Sequence, residues 1–237
     1  MSDETALLCR EVFGPVLYQG FGQTEALPVT MMGPNEWFSA VPGSNPLRSA
    51  GRPLPFADLA ILDPDEGTPV PVGEEGEIAI CCDGQMDGFW QDPEATAARM
   101  RDGWVITGDI GRLDDNGYLY VLDRKDDMII SGGFNIWPAE LENAIVYHPK
   151  VIEVAVVGIP NDRWGERPLA VCLVEEEGQV AEDEVIALCV ERLGSYKKPA
   201  QVVFQTDPLP RSAVGKPARK VIREPYWAGV DRRVAGA

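Results

Sequence analysis

Basic side chains are scarce in this chain of 237 residues. Lysine and arginine number 21 against 38 aspartates and glutamates, so the formal net charge is −17. Nucleic acids and anionic membrane surfaces both need clustered positive charge on a binding protein, so this composition argues against either partner. No lysine precedes Lys125, and this shift in composition suggests that the two halves of the chain are different units.

Metal-binding patterns and membrane-spanning runs are also missing. The single histidine, His148, lies in YHPKV and is interpreted as a helix-end residue before a proline. The five cysteines are odd in number and have no CxxC spacing, which favours reduced thiols in a cytoplasmic protein. No signal peptide opens the sequence, and no apolar run approaches the ~18 residues that a transmembrane segment needs.

The N-terminal half predicts short strands separated by turns rich in proline and glycine. The predicted strands are PVLYQ, ADLAIL, GEIAI, WVITGD and GYLYVLD. One helix is predicted at DPEATAARM, with Asp92 as its N-cap and Pro93 in its first position. Short strands at this spacing suggest a small barrel or sandwich.

The C-terminal half predicts a mixture of strands and helices. Helical spacing of apolar residues appears in PAELENAIVYH and in EDEVIALCVERLG, the second ending at Gly194. VIEVAVVGIP, LAVCLVEE and QVVFQ are predicted strands. The predicted fold class is therefore α+β: a small, β-rich, distorted barrel-like subdomain followed by a compact α+β domain, with the boundary near residues 122–129.

The stretch YQGFGQTEA combines groups that a nucleotide and a metal ion would use. Gly20 and Gly22 let the backbone turn sharply and approach a ligand closely. Phe21 offers a flat face, Thr24 a hydroxyl and Glu25 a carboxylate, which suit a base, a phosphate and Mg2+. The alternative interpretation is a strand, a loop and a helix start with Thr24 as the N-cap.

Three later segments carry further candidates. Asp109 ends the predicted strand in WVITGDIGRL, where an aspartate can bind a ribose diol or simply bond its own turn. In DRKDDMIISGGFNI, Arg124 can bind a ribose or phosphate and Gly132 and Gly133 let the backbone pass close to a ligand; the alternative is a charged linker and a glycine turn. Lys216 in LPRSAVGKPARK is a point charge for phosphate and carboxylate oxygens, or part of a solvated basic tail.

Taken together and in this order, the four segments resemble those of the acyl-adenylate-forming superfamily, and within it the AMP-dependent acyl-CoA synthetases. YQGFGQTEA resembles the YGxTE segment, TGD the ribose-binding aspartate, DRKDDMIISGGFNIWPAELE the interdomain hinge, and LPRSAVGKPARK the segment of the late catalytic lysine. The phrases SGGFNIWPAELE and DRWGE suggest the fatty-acyl or aryl-acyl CoA ligases.

The resemblance implies roles for these residues. Gly20 and Gly22 would belong to the nucleotide loop, Phe21 would lie against adenine, Thr24 would bond the α-phosphate, and Glu25 would hold Mg2+. The remaining implied roles are ribose binding by Asp109 with Arg124, a thiol channel beside Gly132 and Gly133, hinge motion at Asp126, and bridging of substrate carboxylate and α-phosphate by Lys216.

The resemblance also implies a two-step activity in fatty acid metabolism. A carboxylic acid and ATP would give an acyl-adenylate, and the acyl group would then pass to coenzyme A. The implied division is residues 1–122 as the end of a large N-terminal domain, 123–127 as a hinge and 128–237 as a mobile C-terminal domain.

Two departures from the family pattern qualify this expectation. Nothing in the chain resembles the Ser/Thr/Gly-rich phosphate loop that precedes the YGxTE segment, so we expect the C-terminal part of a synthetase, inactive without its N-terminal subdomains. Pro217 follows the glycine–lysine pair where an aliphatic residue is usual, and it restrains the loop that must deliver the lysine. The alternatives are an adenylation domain that loads a carrier protein, and a truncated interaction module whose exposed apolar face drives homodimerisation.

Overall fold

The computed structural model describes residues 3–212 and 215–229. The chain divides into two compact units, Met1–Lys125 and Asp126–Ala237. Each unit has its own sheets and its own cluster of buried apolar side chains.

The first unit contains two antiparallel sheets. The smaller has the order β1 (Gln19–Gln23), β2 (Ala26–Met32) and β3 (Arg52–Pro53). The larger comprises β4 (Ala57–Leu62), β5 (Gly76–Cys82), β6 (Met100–Arg101), β7 (Trp104–Leu113) and β8 (Leu119–Arg124). Strand β7 pairs with β5, with β6 at its beginning and with β8 at its end, so it is the centre of this sheet.

Three α-helices belong to the first unit: α1 (Asp3–Phe13), α2 (Pro34–Trp37) and α3 (Pro93–Arg99). Helix α3 begins as predicted, because the side chain of Asp92 accepts a hydrogen bond from the backbone N–H of Ala95 at 2.9 Å. Helix α1 was not predicted. Its large apolar side chains are 49–65% exposed, whereas Ala6 is buried.

The predicted strand PVLYQ is wrong, because residues 15–18 are irregular and β1 begins only at Gln19. Gly20 and Gly22 therefore lie within a strand and do not form the sharp turn that we expected. A Cβ on Gly20 would stand 2.8 Å from the carbonyl oxygen of Thr30 across the hairpin. The two glycines thus serve a close approach between β1 and β2.

The turn between β1 and β2 consists of Thr24 and Glu25, since Gln23 and Ala26 pair directly. The alternative interpretation of Thr24 as a helix N-cap is wrong for the same reason: the chain continues into β2. Three of the other predicted strands lie within β4, β5 and β7, and GYLYVLD overlaps β8, which begins only at Leu119.

In the described part of the second unit, one five-stranded sheet packs with three α-helices. Its strands are β9 (Ile129–Ser131), β10 (Phe134–Ile136), β11 (Glu153–Asn161), β12 (Gly165–Leu173) and β13 (Gln201–Gln205). The order is β10-β9-β12-β11, and β13 adds to β12 in parallel. The helices are α4 (Pro138–Ile145), α5 (Glu182–Leu193) and α6 (Arg219–Trp227).

Apolar side chains of β11 point alternately to the two faces of this sheet, and both faces are covered. Val154 and Val156 belong to the cluster that contains the buried side chains of α4 and α5. Ala155 and Val157 belong to a second cluster that includes Ile222 of α6. Helices α4 and α5 match the predicted helices, and α5 ends at Gly194 as expected. Helix α6 was not predicted.

The α+β fold class is confirmed. Among the residues that the structure describes, no helix has the length and apolar character needed to cross a bilayer.

Candidate functional site

Asp109 lies on β7 directly opposite Arg124 on β8. Its carboxylate Oδ1 is 3.2 Å from Nε of Arg124. Asp109 is 6% exposed, whereas the Arg124 side chain is 48% exposed. The pairing of the two strands therefore places a nearly buried carboxylate beside a guanidinium that reaches solvent.

Gln23 on β1 binds the other oxygen of the same carboxylate. Its Nε2 donates to Oδ2 of Asp109 at 2.5 Å and to the carbonyl oxygen of Thr107 at 3.1 Å. Sequence reasoning assigned no role to this residue. The available signal was alternation along β1, because Gln23 and Phe21 share the half-buried face of the strand.

Thr107 fixes the backbone on which the aspartate stands. The hydroxyl of this fully buried residue donates to the carbonyl oxygen of Ile78 at 2.7 Å and accepts from the N–H of Asp109 at 3.0 Å. Between them, Gly108 has φ +71, a left-handed conformation that glycine adopts without strain. The segment TGD thus lies inside β7, because the strand continues to Leu113 and does not end at Asp109 as we expected, and these bonds fix the backbone that carries the carboxylate.

Asp114 secures the hairpin of β7 and β8. It accepts hydrogen bonds from the hydroxyl of Tyr120 at 2.8 Å and from the N–H groups of Asn116 and Tyr118 at 3.0 and 2.9 Å. Burial opposes ionisation of this carboxyl, but hydrogen bonds that include one from Ser44 outweigh it, so the pKa of Asp114 lies below its ordinary value. These bonds stabilise the register that sets Asp109 opposite Arg124.

Thr24 and Glu25 stand at the β1–β2 turn, one residue beyond Gln23. Thr24 is exposed and Glu25 half-buried. The carbonyl oxygen of Glu25 accepts from the N–H of Met86 at 2.8 Å, which fixes the turn. Phe21 packs partly on the core of the first unit, so only part of its ring is free to face a ligand.

The donor set at this turn fits a magnesium ion that phosphate oxygens also bind. Mg2+ in nucleotide sites takes one or two carboxylates together with phosphate oxygens and water. Glu25 supplies one such carboxylate at an accessible turn. No group of three or more histidine, cysteine, aspartate or glutamate residues suited to a metal occurs in the described part of the chain, so a site built from protein ligands alone is not present there.

In the second unit, Gly132 and Gly133 form the turn between β9 and β10, with φ +59 and +84. The N–H of Gly132 donates to the carbonyl oxygen of Trp164 at 2.9 Å, and a Cβ on Gly132 would stand 2.5 Å from the Trp164 ring. Gly133 meets nothing within 4 Å, so the backbone is open on that side.

Lys216 is exposed on the loop that precedes α6. Its carbonyl oxygen accepts from the N–H of Ser212 at 2.8 Å, and Gly215 before it has φ +80. Residues 213 and 214 lie outside the described residues. The lysine therefore stands on a backbone that is hydrogen-bonded beside it, with its side chain in solvent.

Asp126 is exposed and lies in the 3₁₀ helix Lys125–Asp127, at the start of the second unit. The residue before it, Lys125, binds Glu77 at 2.9 Å within the first unit. The residue after it, Asp127, binds Arg219 at 2.9 Å within the second. The structure thus brings Gln23, Asp109 and Arg124 together in the first unit, and the second unit carries the glycine turn and the lysine.

Two family models match separate parts of the chain. Residues 1–90 match the AMP-binding enzyme family, and residues 140–216 match the AMP-binding enzyme C-terminal domain. The chain therefore belongs to the AMP-binding, adenylate-forming enzymes.

Known proteins of this family align along most of the chain. The medium/long-chain-fatty-acid–CoA ligase FadD8 of Mycobacterium tuberculosis is 38% identical over 94% of this chain and 39% of its own length. The amide bond synthetase McbA from Marinactinospora thermotolerans superposes with a TM-score of 0.84 at 32% identity, over 94% of this chain and 44% of its own.

A third comparison carries a bound intermediate. The o-succinylbenzoate CoA synthetase of Bacillus subtilis, in complex with the acyl-adenylate intermediate OSB-AMP, superposes with a TM-score of 0.82 at 35% identity, over 93% of this chain and 43% of its own. The chain spans about two fifths of the length of the curated relatives that it matches.

Proposed function

We propose that this chain supplies the ribose-binding and lysine-bearing part of an ATP-dependent acid–CoA ligase. Such an enzyme activates a carboxylic acid as an acyl-adenylate and passes the acyl group to coenzyme A. The observation that carries the proposal is the Asp109 carboxylate, which Gln23 and Arg124 hold from two sides in a chain of the AMP-binding family.

The two hydroxyls of a ribose are the proposed ligand of Asp109. Each carboxylate oxygen can accept more than one hydrogen bond, so the contacts with Arg124 and Gln23 do not by themselves prevent Asp109 from accepting from a diol. Because both partners are already in place, the carboxylate loses little freedom when a diol binds, which favours affinity. Arg124, half exposed, is the proposed second ribose contact.

The β1–β2 turn is the proposed phosphate end of the same site. Thr24 would donate its hydroxyl to the α-phosphate, and Phe21 with Gly20 and Gly22 would lie along the base. A magnesium ion on Glu25 and the phosphates would neutralise charge at phosphorus.

Lys216 is the proposed cation for the adenylation step. Its ammonium is exposed, so it can reach both the substrate carboxylate and the α-phosphate without first breaking an ion pair within the described residues. Pro217 beside it is half-buried and bridges to Arg211, which limits the conformations of the loop.

Residues 123–127 are the proposed hinge, with Asp126 at its centre. The support is the change of anchoring across this residue: Lys125 is bonded to the first unit and Asp127 to the second. A short exposed segment between two anchors is suited to absorb backbone rotation. The open backbone at Gly132 and Gly133 is the proposed wall of the thiol channel for coenzyme A.

The proposed acyl acceptor is coenzyme A, as the names of the curated relatives suggest. An adenylation domain that loads a carrier protein is the alternative, and the similarity to an amide bond synthetase adds an amine as a third acceptor to test. A thioester-forming assay with coenzyme A, a carrier protein and an amine separates these outcomes.

The N-terminal subdomains of the same parent protein are the proposed partner of this part. The support is the exposed apolar face of α1, formed by Leu7, Leu8, Val12 and Phe13, together with the two-fifths coverage of the relatives. On this basis we expect no ATP–pyrophosphate exchange by the chain alone. Homodimerisation through α1 and a cytoplasmic location stay predictions, the first to be tested by sedimentation.

Calorimetric titration with AMP, with and without Mg2+, tests the proposed nucleotide site. We expect AMP to bind and Asp109→Ala to weaken binding by at least about tenfold, because charge-assisted hydrogen bonds to the ribose are lost. Asp58→Ala, at an exposed position on β4, is the matched control and should bind as the unmodified chain does. Equal AMP affinity in both variants would overturn the assignment of Asp109.

A further inference from the structure

Arg219, the first residue of α6, binds two carboxylates from different elements. Its Nε and Nη2 donate to Oε1 and Oε2 of Glu142 at 2.9 and 2.6 Å, and its Nη1 donates to Oδ2 of Asp127 at 2.9 Å. The three side chains are 18–31% exposed, so their attraction is only partly screened by water. Three of the five guanidinium donors are thus used in one cluster.

Glu142 extends the cluster to the sheet. Its Oε1 also accepts from the backbone N–H of Val156 on β11 at 2.9 Å. The cluster therefore joins the 3₁₀ helix Lys125–Asp127, α4, β11 and the start of α6. The planar fork of arginine matches a carboxylate in two parallel bonds, which a lysine at this position would not reproduce.

The same arginine follows directly after the loop that carries Lys216. The N–H of Ala218 donates to the carbonyl oxygen of Pro210 at 2.7 Å and closes the stem of this loop. Inside the stem, the N–H of Ser212 donates to the carbonyl oxygen of Lys216 at 2.8 Å. The stem ends one residue before Arg219, so a fixed Arg219 backbone fixes one end of the stem.

The far end of α6 has a separate anchor. Nε1 of Trp227 donates to the carbonyl oxygen of Gly158 at 2.8 Å, and Ile222 is buried on the sheet between the two ends. Helix α6 as a whole is therefore attached independently of the ion-pair cluster. The cluster is the attachment that adjoins the lysine loop.

We propose that Arg219 is a positioning residue for Lys216: through its bonds to Asp127 and Glu142 it fixes the stem of the lysine loop relative to these two residues of the second unit. The significance of this positioning for catalysis rests on the proposed function, because it assumes that Lys216 acts on the acyl-adenylate. The physical coupling itself does not depend on that assumption.

Amide hydrogen exchange of the full chain tests the coupling without any ligand. The probes are the N–H groups of Ser212, Gly215 and Ala218, each of which is hydrogen-bonded within the loop or its stem. We expect Arg219→Gln to speed their exchange by about tenfold, since two charge-assisted contacts that limit local opening are lost. Arg223→Gln removes the same charge from the same helix and should leave these three rates unchanged.

Asp127→Asn provides the sharper test, because Asp127 lies far from the loop in sequence. We expect this variant to speed exchange of the same three amides, by less than Arg219→Gln does, and the double variant to add nothing beyond Arg219→Gln alone. Unchanged loop exchange in Asp127→Asn would overturn the proposal, even if Arg219→Gln failed to fold.

Trp227→Phe distinguishes positioning from general stability of α6. This variant removes the other anchor, so it should speed exchange within α6 and leave Ser212 and Gly215 unchanged. Equal acceleration of the loop by Trp227→Phe would reduce Arg219 to one of two structural contacts and would overturn the proposal. AMP binding is measured separately, so a failed proposal on Arg219 and a failed nucleotide assignment give different results.

Discussion

The two units hold their candidate site residues in different ways. In the first unit, Asp109 is nearly buried, and its carboxylate oxygens have partners on β8 of the same sheet and on β1 of the other sheet. In the second unit, Lys216 is exposed, and hydrogen bonds hold its backbone but no described group binds its ammonium. The proposed role of Asp109 in ribose binding benefits from a fixed orientation, whereas the proposed role of Lys216 in one step benefits from a side chain that is free to arrive and leave.

The two units also differ in how completely their helices cover the apolar side chains. In the second unit, α4 and α5 cover one face of the sheet and α6 contributes to the other. In the first unit, α1 turns one side to the core through Ala6 and leaves large apolar side chains exposed. The second unit is thus closed by its own helices, and the first retains an apolar face.

The largest expected difference between the units concerns thiol reactivity. Burial raises the pKa of the Cys172 thiol to about 12, with a contribution from nearby Cys189, and burial raises the pKa of Cys189 to about 11. Cys9 and Cys81 in the first unit are half-buried. At pH ~8 we expect alkylation of Cys9 and Cys81 to be at least a hundredfold faster than alkylation of Cys172 and Cys189.

Mass spectrometry of peptides after timed alkylation measures these rates. The same reaction in denaturant is the control, and there all five thiols should react at similar rates. Rapid native alkylation of Cys172 would contradict a closed second unit.

The next effect concerns the segment of β7 that carries Asp109. Thr107→Val keeps the shape of the side chain but leaves the carbonyl oxygen of Ile78 and the N–H of Asp109 without the hydroxyl. We expect a loss of about 1–3 kcal/mol in the stability of the first unit, because buried polar groups lose their partner. Urea unfolding monitored by exchange of β7 amides measures it, and Thr68→Val at an exposed position is the control. A loss of stability no larger than that of the control would mean that this segment of β7 does not depend on the Thr107 hydroxyl.

A smaller effect is expected when a second carboxylate is placed beside Asp109. In Gln23→Glu the two carboxylates would share the site, so the pKa of one of them should rise. A raised folded-state pKa gives stability that is complete below the unfolded value and is lost as pH rises through the folded value. The difference in unfolding free energy from the unmodified chain should therefore grow from pH ~4.5 to pH ~8, reaching about 1 kcal/mol.

Gln23→Ala separates this charge effect from the loss of the amide. It removes the same hydrogen bonds and adds no titrating group, so its difference from the unmodified chain should be constant over that pH range. A pH-independent difference in Gln23→Glu as well would contradict close contact between positions 23 and 109.

The smallest effect is expected at the exposed lysine. Lys216→Ala should change the unfolding free energy of the second unit by less than about 0.5 kcal/mol, because an exposed side chain without a partner contributes little to stability. Thermal unfolding measures this difference. Arg219→Gln breaks the ion-pair cluster, and its loss of unfolding free energy should be larger than that of Lys216→Ala. A marked loss of stability in Lys216→Ala would show that the lysine is held like Asp109.

Much of the strand pattern was accessible from the sequence. The segments ADLAIL and QVVFQ coincide with β4 and β13, since apolar alternation and flanking glycines or prolines mark such strands. The start of α3 followed from its N-cap and proline. The signals failed at α1, whose large apolar side chains are exposed, and at PVLYQ, whose β-branched and aromatic residues mimic a strand.

The site was accessible only in part. The sequence by itself determined which residue types were available: the glycines and acidic group of YQGFGQTEA, the aspartate of TGD and the lysine before Pro217, because local patterns carry their chemistry. It did not indicate that Gln23 would bind Asp109, 86 residues away. It likewise did not join Arg219 to Asp127 across 92 residues. Only the tertiary structure decided these partners, because strand register and helix docking bring distant residues together, and no local pattern records that distance.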